Sequence, residues 1–575
     1  MKMTKQQEKR TKTVKDTQRS RNAAGWKRPV VVLLLGALVV VCATGFFVQD
    51  EANLLFRIHR GITTFGKVYE EIAVNYVDDI DPDGFLRAGI DGMLRTLDPY
   101  TTYVGEEESD ELELVTSGRY GGIGVTIGIR DGAVTIVNLM DGYSAAKRGI
   151  EMGDRVLEVD AKPVSGMSLE SIRLLVRGTP GSEIRLKIER DGESAPLEFV
   201  LIREDIPVRN VTYTGYVADG IGLIRLERFS RTAGEDVRTA IRDLQKTGTL
   251  NGLVLDVRDN PGGLLDIAVD IVSKFVPEST LVVSTRGRRS DSERKYFSTE
   301  TPMVPDLPLV VLTNRTSASA SEIVAGAVQD IDRGVIVGTR TFGKGLVQTI
   351  SRLSETASLK MTTARYYTPS GRCIQELDYW HRDGNGKETV KPDSMRKAFF
   401  TSRKRPVLDA GGIVPDSTVI DTVRVPYLDA LTRKAMFFKY AKSYVQKNGA
   451  VTERFAVTDA MIEDFESFIR GRGFDYQEDA ERELGDLRKA ATAARYGKPF
   501  IDQLDKMEVE LKEEKERQIH RFHEEVRVAL MAEILGMVKG ERGRIEATFP
   551  SDKQLQTAVG ILKNKKRYEA ILGGR

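Results

Sequence analysis

The chain has 575 residues, 41% apolar and 30% charged, which is room for several domains of ordinary size with cores of their own. Its formal net charge is +2, yet the first 28 residues hold ten Lys and Arg against Glu8 and Asp16, so the rest sums to about −6. That distribution excludes a basic nucleic-acid surface. Four histidines, His59, His381, His520 and His523, all outside the strand-rich middle, argue against a Ser/His/Asp triad.

Residues 1–28 read as a basic cytoplasmic tail, followed from Pro29 to Val48 by 20 residues without a charge. As a helix this run spans about 30 Å, enough for a bilayer core, and the basic flank places the remainder outside the cytoplasm. A cleaved signal peptide is the competing reading, because Cys42-Ala43-Thr44-Gly45 offers small residues; the continuation through Phe46, Phe47 and Val48 favours an uncleaved anchor over 29–48. With Cys42 in that span, Cys373 stands alone and no intramolecular disulfide framework can form outside. Residues 49–112 carry helical apolar spacing, as in Ile62, Phe65, Val68 and Ile72, then Phe85, Ile90, Met93, Leu94 and Leu97, and predict a small helical domain.

Over 113–203 the signal changes to short β-runs and turns. Tyr120-Gly121-Gly122-Ile123-Gly124-Val125, then Ala133-Val134-Thr135-Ile136-Val137, Gly153-Asp154-Arg155-Val156-Leu157-Glu158-Val159 and a helix at Leu169 to Val176 form an order that resembles a PDZ domain. A glycine-rich loop ahead of an exposed strand can present N–H groups to a peptide carboxylate while the strand edge pairs with the peptide. Gly121, Gly122, Ile123, Gly124 and Val125 are the expected peptide-binding residues. Arg177, at the end of the helix, reads either as a solvated guanidinium or as a coupling residue between peptide and active site.

From 204 to 425 buried strand-like runs at Ile221, Gly252, Leu309 and Val335 alternate with helical segments, an α/β pattern. Two pieces carry chemistry. Thr316-Ser317-Ala318-Ser319-Ala320-Ser321-Glu322 sits between a strand and a helix, where a hydroxyl can stand free beside helix N–H groups. Thr341-Phe342-Gly343-Lys344-Gly345 follows the next strand and offers an amine among Phe342, Leu346 and Val347; neutralising it near pH 7 needs a shift of about 3 units, which desolvation can supply. It is not a phosphate loop, since it lacks the upstream glycine and the hydroxyl after lysine. Asn260-Pro261-Gly262-Gly263 is a turn before a helix with the geometry of an anion hole.

The run Asn314 to Asp330, Thr341 to Gln348 and Tyr367-Thr-Pro-Ser-Gly-Arg372 resemble the carboxyl-terminal processing (tail-specific) proteases. The resemblance covers about Leu54 to Asp416. It implies Ser319 as nucleophile, Lys344 as general base, Gln348 as the residue orienting the lysine, and an oxyanion hole from Ala320 N–H and either Gly262 or Gly263. It also implies that Leu97 to Thr101 closes a helical segment that often supports self-association. Residues 426–575 are charged and helical and read as an appendage beyond the resemblance.

The expected architecture is therefore multidomain α/β: membrane helix, small helical domain, PDZ domain, a Ser-Lys protease core related to crotonase-type folds, and a helical C-terminal appendage. The expected activity is that of a serine endopeptidase cleaving near the C-termini of periplasmic or other extracytoplasmic proteins. Its partners would be protein or peptide substrates with free C-termini and the membrane through 29–48, with no nucleic acid, a homo-oligomer or adaptor left open, and no metal or cofactor, since the sequence has no His/Cys/Asp ligand cluster.

Overall fold

The computed structural model describes residues 53–105, 118–354, 357–382, 388–420, 425–449 and 455–573, so the basic tail and the expected anchor at 29–48 lie outside the described residues. Among the described residues no helix is long and apolar enough to cross a membrane. The chain divides into two units, one ending at Met93 and one starting at Leu94.

In the first unit a helix over 53–75 is followed by Pro82–Leu94. Tyr69 joins them, stacking on Phe85 at 5.7 Å and donating its hydroxyl to Pro82 O. Leu55, Phe56, Ile62 and Val68 remain exposed.

The second unit begins its domains with a five-strand path in the order Val125–Arg130, Ala133–Leu139, Arg155–Val159, Glu183–Glu189, Leu197–Ile202, all neighbours antiparallel. Period-two burial in Glu183–Glu189 points Ile184, Leu186 and Ile188 inward onto Ile136 and Ile172. Ser168 caps the helix Leu169–Val176 by accepting from Ser171 N–H. Val125–Arg130 ends the sheet, and among the described residues its outer edge is unpaired, as strand addition requires.

The α/β core is a six-stranded sheet in the order Val211–Ala218, Ile221–Leu226, Gly252–Asp256, Leu309–Thr313, Val335–Gly338, Ser417–Thr418, parallel after its first pair. Gly252–Asp256, Leu309–Thr313 and Val335–Gly338 are buried along their whole length, as parallel strands covered on both faces must be. Ala233–Thr247, Leu265–Ser273 and Ala320–Asp330 pack one face through Val237, Ile271 and Val324. A second sheet pairs Ser358–Tyr367 with Thr102–Val104, Leu281–Gly287 and Leu346–Arg352.

The other face of the core sheet is covered from the far end of the chain. Leu555, Ala558, Ile561 and Leu562 of the helix Lys553–Lys563, with Tyr568 and Leu572, pack on Val254, Val310, Leu312, Val335 and Val337. The last part of the helical region expected over 426–575 thus forms a layer of the core, and the earlier helices form a cluster of their own, around Tyr427, Phe437, Phe465 and Leu530. That cluster reaches the PDZ domain, where Lys439 Nζ pairs with Asp131 at 2.7 Å and Arg433 O accepts from Asp131 N–H. Asp552 caps Lys553–Lys563 and binds Arg258 through both oxygens, at 3.0 and 2.7 Å. Asp552→Ala loses a cap and a mostly buried ion pair, an expected cost of about 2–3 kcal/mol that a lower urea midpoint for the core would register.

Candidate active site

Three adjacent parallel strands deliver the site from their carboxyl ends, the place where open α/β sheets bind ligands. Gly252–Asp256 leads to Asn260–Gly263, Leu309–Thr313 to Ser319, and Val335–Gly338 to Lys344.

Ser319 stands immediately before the helix Ala320–Asp330 with φ +56° and ψ −113°, a strained conformation for a residue with a Cβ. Surrounding bonds impose it. Ser319 N–H donates to Glu322 Oε2 at 2.9 Å, Tyr366 Oη donates to Ser319 O, and Ala318 N–H donates to Asn260 O. Ala320, as the first helical residue, has an N–H that no helical carbonyl can reach.

The Asn260–Gly263 turn lies directly against it. A Cβ on Gly262 would sit 2.6 Å from Ala318 O and 2.9 Å from both Ala320 N and Ser319 Cβ, at φ +101°, so only glycine fits. Gly262 N–H already donates to Asn260 Oδ1 at 2.9 Å. Gly262 O and Leu264 N–H engage Phe229, which leaves Gly263 N–H without a hydrogen bond among the described residues.

Glu322 is the residue that sequence reasoning missed, although Ser-x-x-Glu is a capping-box signal. Fully buried, its carboxylate accepts from Thr341 Oγ1 at 2.6 Å, Gly343 N–H at 2.7 Å, and Ser319 N–H and Lys344 N–H at 2.9 Å each. The last two reach the same oxygen, which holds the serine and lysine amide nitrogens within about 6 Å of each other. Burial pushes its pKa up to about 7 against these four donors.

Burial also lowers the Lys344 pKa to about 8, aided by Lys360 and opposed by Glu322 and Asp98. Its Nζ lies over the Tyr100 ring, 4.2 Å from the centroid, a contact absent from the sequence reading. Gln348 does not hydrogen-bond Lys344: its Nε2 donates to Thr362 Oγ1 at 3.1 Å, and Thr362 Oγ1 donates to Asp98. Asp98 in turn accepts from Tyr100 N–H, so Gln348 reaches the lysine's surroundings through Thr362, Asp98 and the Tyr100 segment.

Gly122, Ile123, Gly124 and Val125 line a groove of about 580 Å³ between Val125–Arg130 and Leu169–Val176. The Ile123 side chain points into the PDZ core at 1% exposure, so only its backbone can face a peptide. Gly121 is instead paired with Asp205 and accepts from Gly178 N–H. Arg177 lines the groove with its guanidinium 5.3 Å from the Tyr120 ring centroid. Among the described residues no group of three or more His, Cys, Asp or Glu is placed to hold a metal ion.

Comparison with known proteins places three family descriptions on these regions: PDZ domain at 111–189, peptidase family S41 at 220–382, and the C-terminal helical domain of probable PDZ-proteases at 427–562. The carboxy-terminal-processing protease of Bartonella bacilliformis is 38% identical over 351 residues, 60% of this chain and 79% of that protein. The carboxy-terminal processing protease CtpA of Bacillus subtilis is 31% identical over 66% of this chain and 79% of its own length. Among solved structures, a photosystem II D1 C-terminal processing protease is 29% identical over 57% of this chain and 91% of that one, with a TM-score of 0.33. An S41 peptidase core and a PDZ domain on one scaffold make this a serine peptidase with its own peptide-binding domain. The chain belongs to the PDZ-containing carboxy-terminal processing proteases.

Proposed function

We propose that Ser319 and Lys344 are the catalytic dyad of this carboxy-terminal processing protease and that its substrates are extracytoplasmic proteins with free C-termini. The observation that carries the dyad is the pair of 2.9 Å bonds from Ser319 and Lys344 N–H to one Glu322 oxygen, together with the lowered lysine pKa. Neutral Lys344 Nζ takes the proton from Ser319 Oγ as that oxygen attacks the scissile carbonyl. The oxyanion is bound by Ala320 N–H and Gly263 N–H, turn donors without another acceptor among the described residues. Collapse of the tetrahedral intermediate breaks the C–N bond, and the Lys344 ammonium returns its proton to the leaving amine. Water, deprotonated by Lys344, then releases the acyl group from Ser319.

The PDZ groove would receive the substrate's carboxylate at Gly122–Gly124 and pair its backbone with the free edge of Val125–Arg130. Anchoring through 29–48, with the catalytic portion outside the cytoplasm, is supported by the uncharged run behind a basic tail. The crotonase-type relationship is supported by strands that feed the site from their carboxyl ends.

The test is an unfolded reporter with an apolar free C-terminus, beside its C-terminal amide, together with a serine-directed fluorophosphonate. Cleavage near the free C-terminus, weakened by amidation, and a phosphonyl adduct on Ser319 are expected. An adduct confined to another serine would place the nucleophile elsewhere.

A further inference from the structure

The wall of the peptide groove opposite the PDZ domain is built by the protease core, and the whole groove is strongly basic. Six arginines and two glutamates line it. The glutamates are already engaged: Glu227 lies 3.4 Å from Arg225 Nε and accepts from Thr212 Oγ1, and Glu541 lies 3.6 Å from Arg544 Nε. Arg130, Arg177, Arg209 and Arg228 pair with no carboxylate among the described residues. Four unpaired guanidinium groups around one groove repel one another, and an anionic occupant relieves that repulsion.

Their placement relative to the strand edge says where the negative charge belongs. Arg228 and Arg177 both act on Tyr120, at the carboxylate-loop end of the groove, and Arg177 lies over its ring. Arg130 ends the edge strand, about 17 Å from Val125 at about 3.3 Å per residue. A peptide antiparallel to that strand, with its terminal carboxylate at Gly122–Gly124, carries its fourth or fifth residue from the end to Arg130. One carboxylate cannot answer charges spread over that length, whereas acidic side chains along the peptide can.

We propose that this groove selects C-terminal peptides bearing acidic side chains in the few residues before the free carboxylate, with Arg130 and Arg209 as the specificity residues. The inference rests on the reading that the PDZ groove takes substrate C-termini, and the experiment separates the two. Full-length chain carrying Ser319→Ala, in detergent, is titrated with fluorescent peptides that share one apolar terminal residue and carry either Glu or Gln upstream, each as free acid and as amide.

The Glu peptide is expected to bind about tenfold tighter than the Gln peptide at low salt, with the difference shrinking at about 0.5 M salt. Arg130 and Arg209 are unpaired among the described residues and neither is buried, so Arg130→Gln with Arg209→Gln should keep the fold, erase the difference and leave the Gln peptide's affinity unchanged. Equal binding of Glu and Gln free acids overturns the inference while leaving carboxylate recognition intact. Amides binding as well as free acids overturn the carboxylate reading instead. Displacement of the Glu peptide by an oligothymidylate of equal charge marks an unselective anion surface and also overturns the inference.

Discussion

Lys344→Ala and Lys344→Arg are expected to lower kcat/KM on an unfolded reporter by about 10³-fold or more, and Ser319→Ala by at least as much, with the core still folded. The arginine variant is the informative one, because it keeps a cation over Tyr100 but has no neutral form near physiological pH. A lysine needed only for charge would tolerate it; a lysine needed as a base would not. The pH profile carries the same distinction. Burial holds the Lys344 pKa near 8, so the fraction able to accept the Ser319 proton grows as pH rises through that value. Wild-type kcat/KM should therefore climb between about pH 7 and 9 and flatten above, the limb belonging to Lys344 and Glu322 jointly where their titrations overlap. A limb near 8 that persists in Lys344→Ala would assign the base to another group.

Much of this was legible because the physics is local. Runs such as Leu253-Val254-Leu255 and Val310-Val311-Leu312 are apolar at every position, and only a strand covered on both faces needs that. The strand-to-helix turn at Ser319 was legible because small residues between a strand and a helix leave a hydroxyl uncovered. Glu322 was not, since its role depends on two loops at the ends of neighbouring strands meeting at one oxygen, and no spacing rule encodes that. Tyr100 was hidden for the same reason: it lies more than 200 residues before the lysine it covers. The amphipathic pattern of Lys553–Lys563 looks the same whether its apolar face meets another helix or a sheet, so the sequence shows a helix there without showing that it covers the core sheet. Gln348, which the resemblance implies as the residue orienting Lys344, lies in the strand Leu346–Arg352 with its amide donating to Thr362 on the neighbouring strand, a contact that the sequence alone does not encode.

Glu322→Gln should cost about 10²-fold in kcat/KM and move the rising limb of the pH profile to lower pH. The loss follows from counting donors. Four of them converge on the carboxylate, and an amide supplies only one acceptor oxygen while its NH₂ faces donors that need an acceptor. Each donor left unpaired in a buried site costs about 1–3 kcal/mol, enough to loosen the turn that holds Ser319 against the lysine loop. The shift of the limb follows from charge. The Glu322 carboxylate raises the Lys344 pKa, so removing it lets burial push that pKa lower. Thr341→Val separates the two effects: it deletes one donor and leaves the carboxylate, so kcat/KM should fall by only about tenfold, with the limb in place. Stability carries a matching signature. The folded chain holds the Glu322 proton up to about pH 7 and the unfolded chain only to the ordinary value of 4.5, so this group's contribution to stability falls as pH rises through that window. Glu322→Gln should flatten that slope. A variant with lower kcat/KM but an unmoved limb would show that Glu322 shapes the turn without acting on the charge state of the lysine.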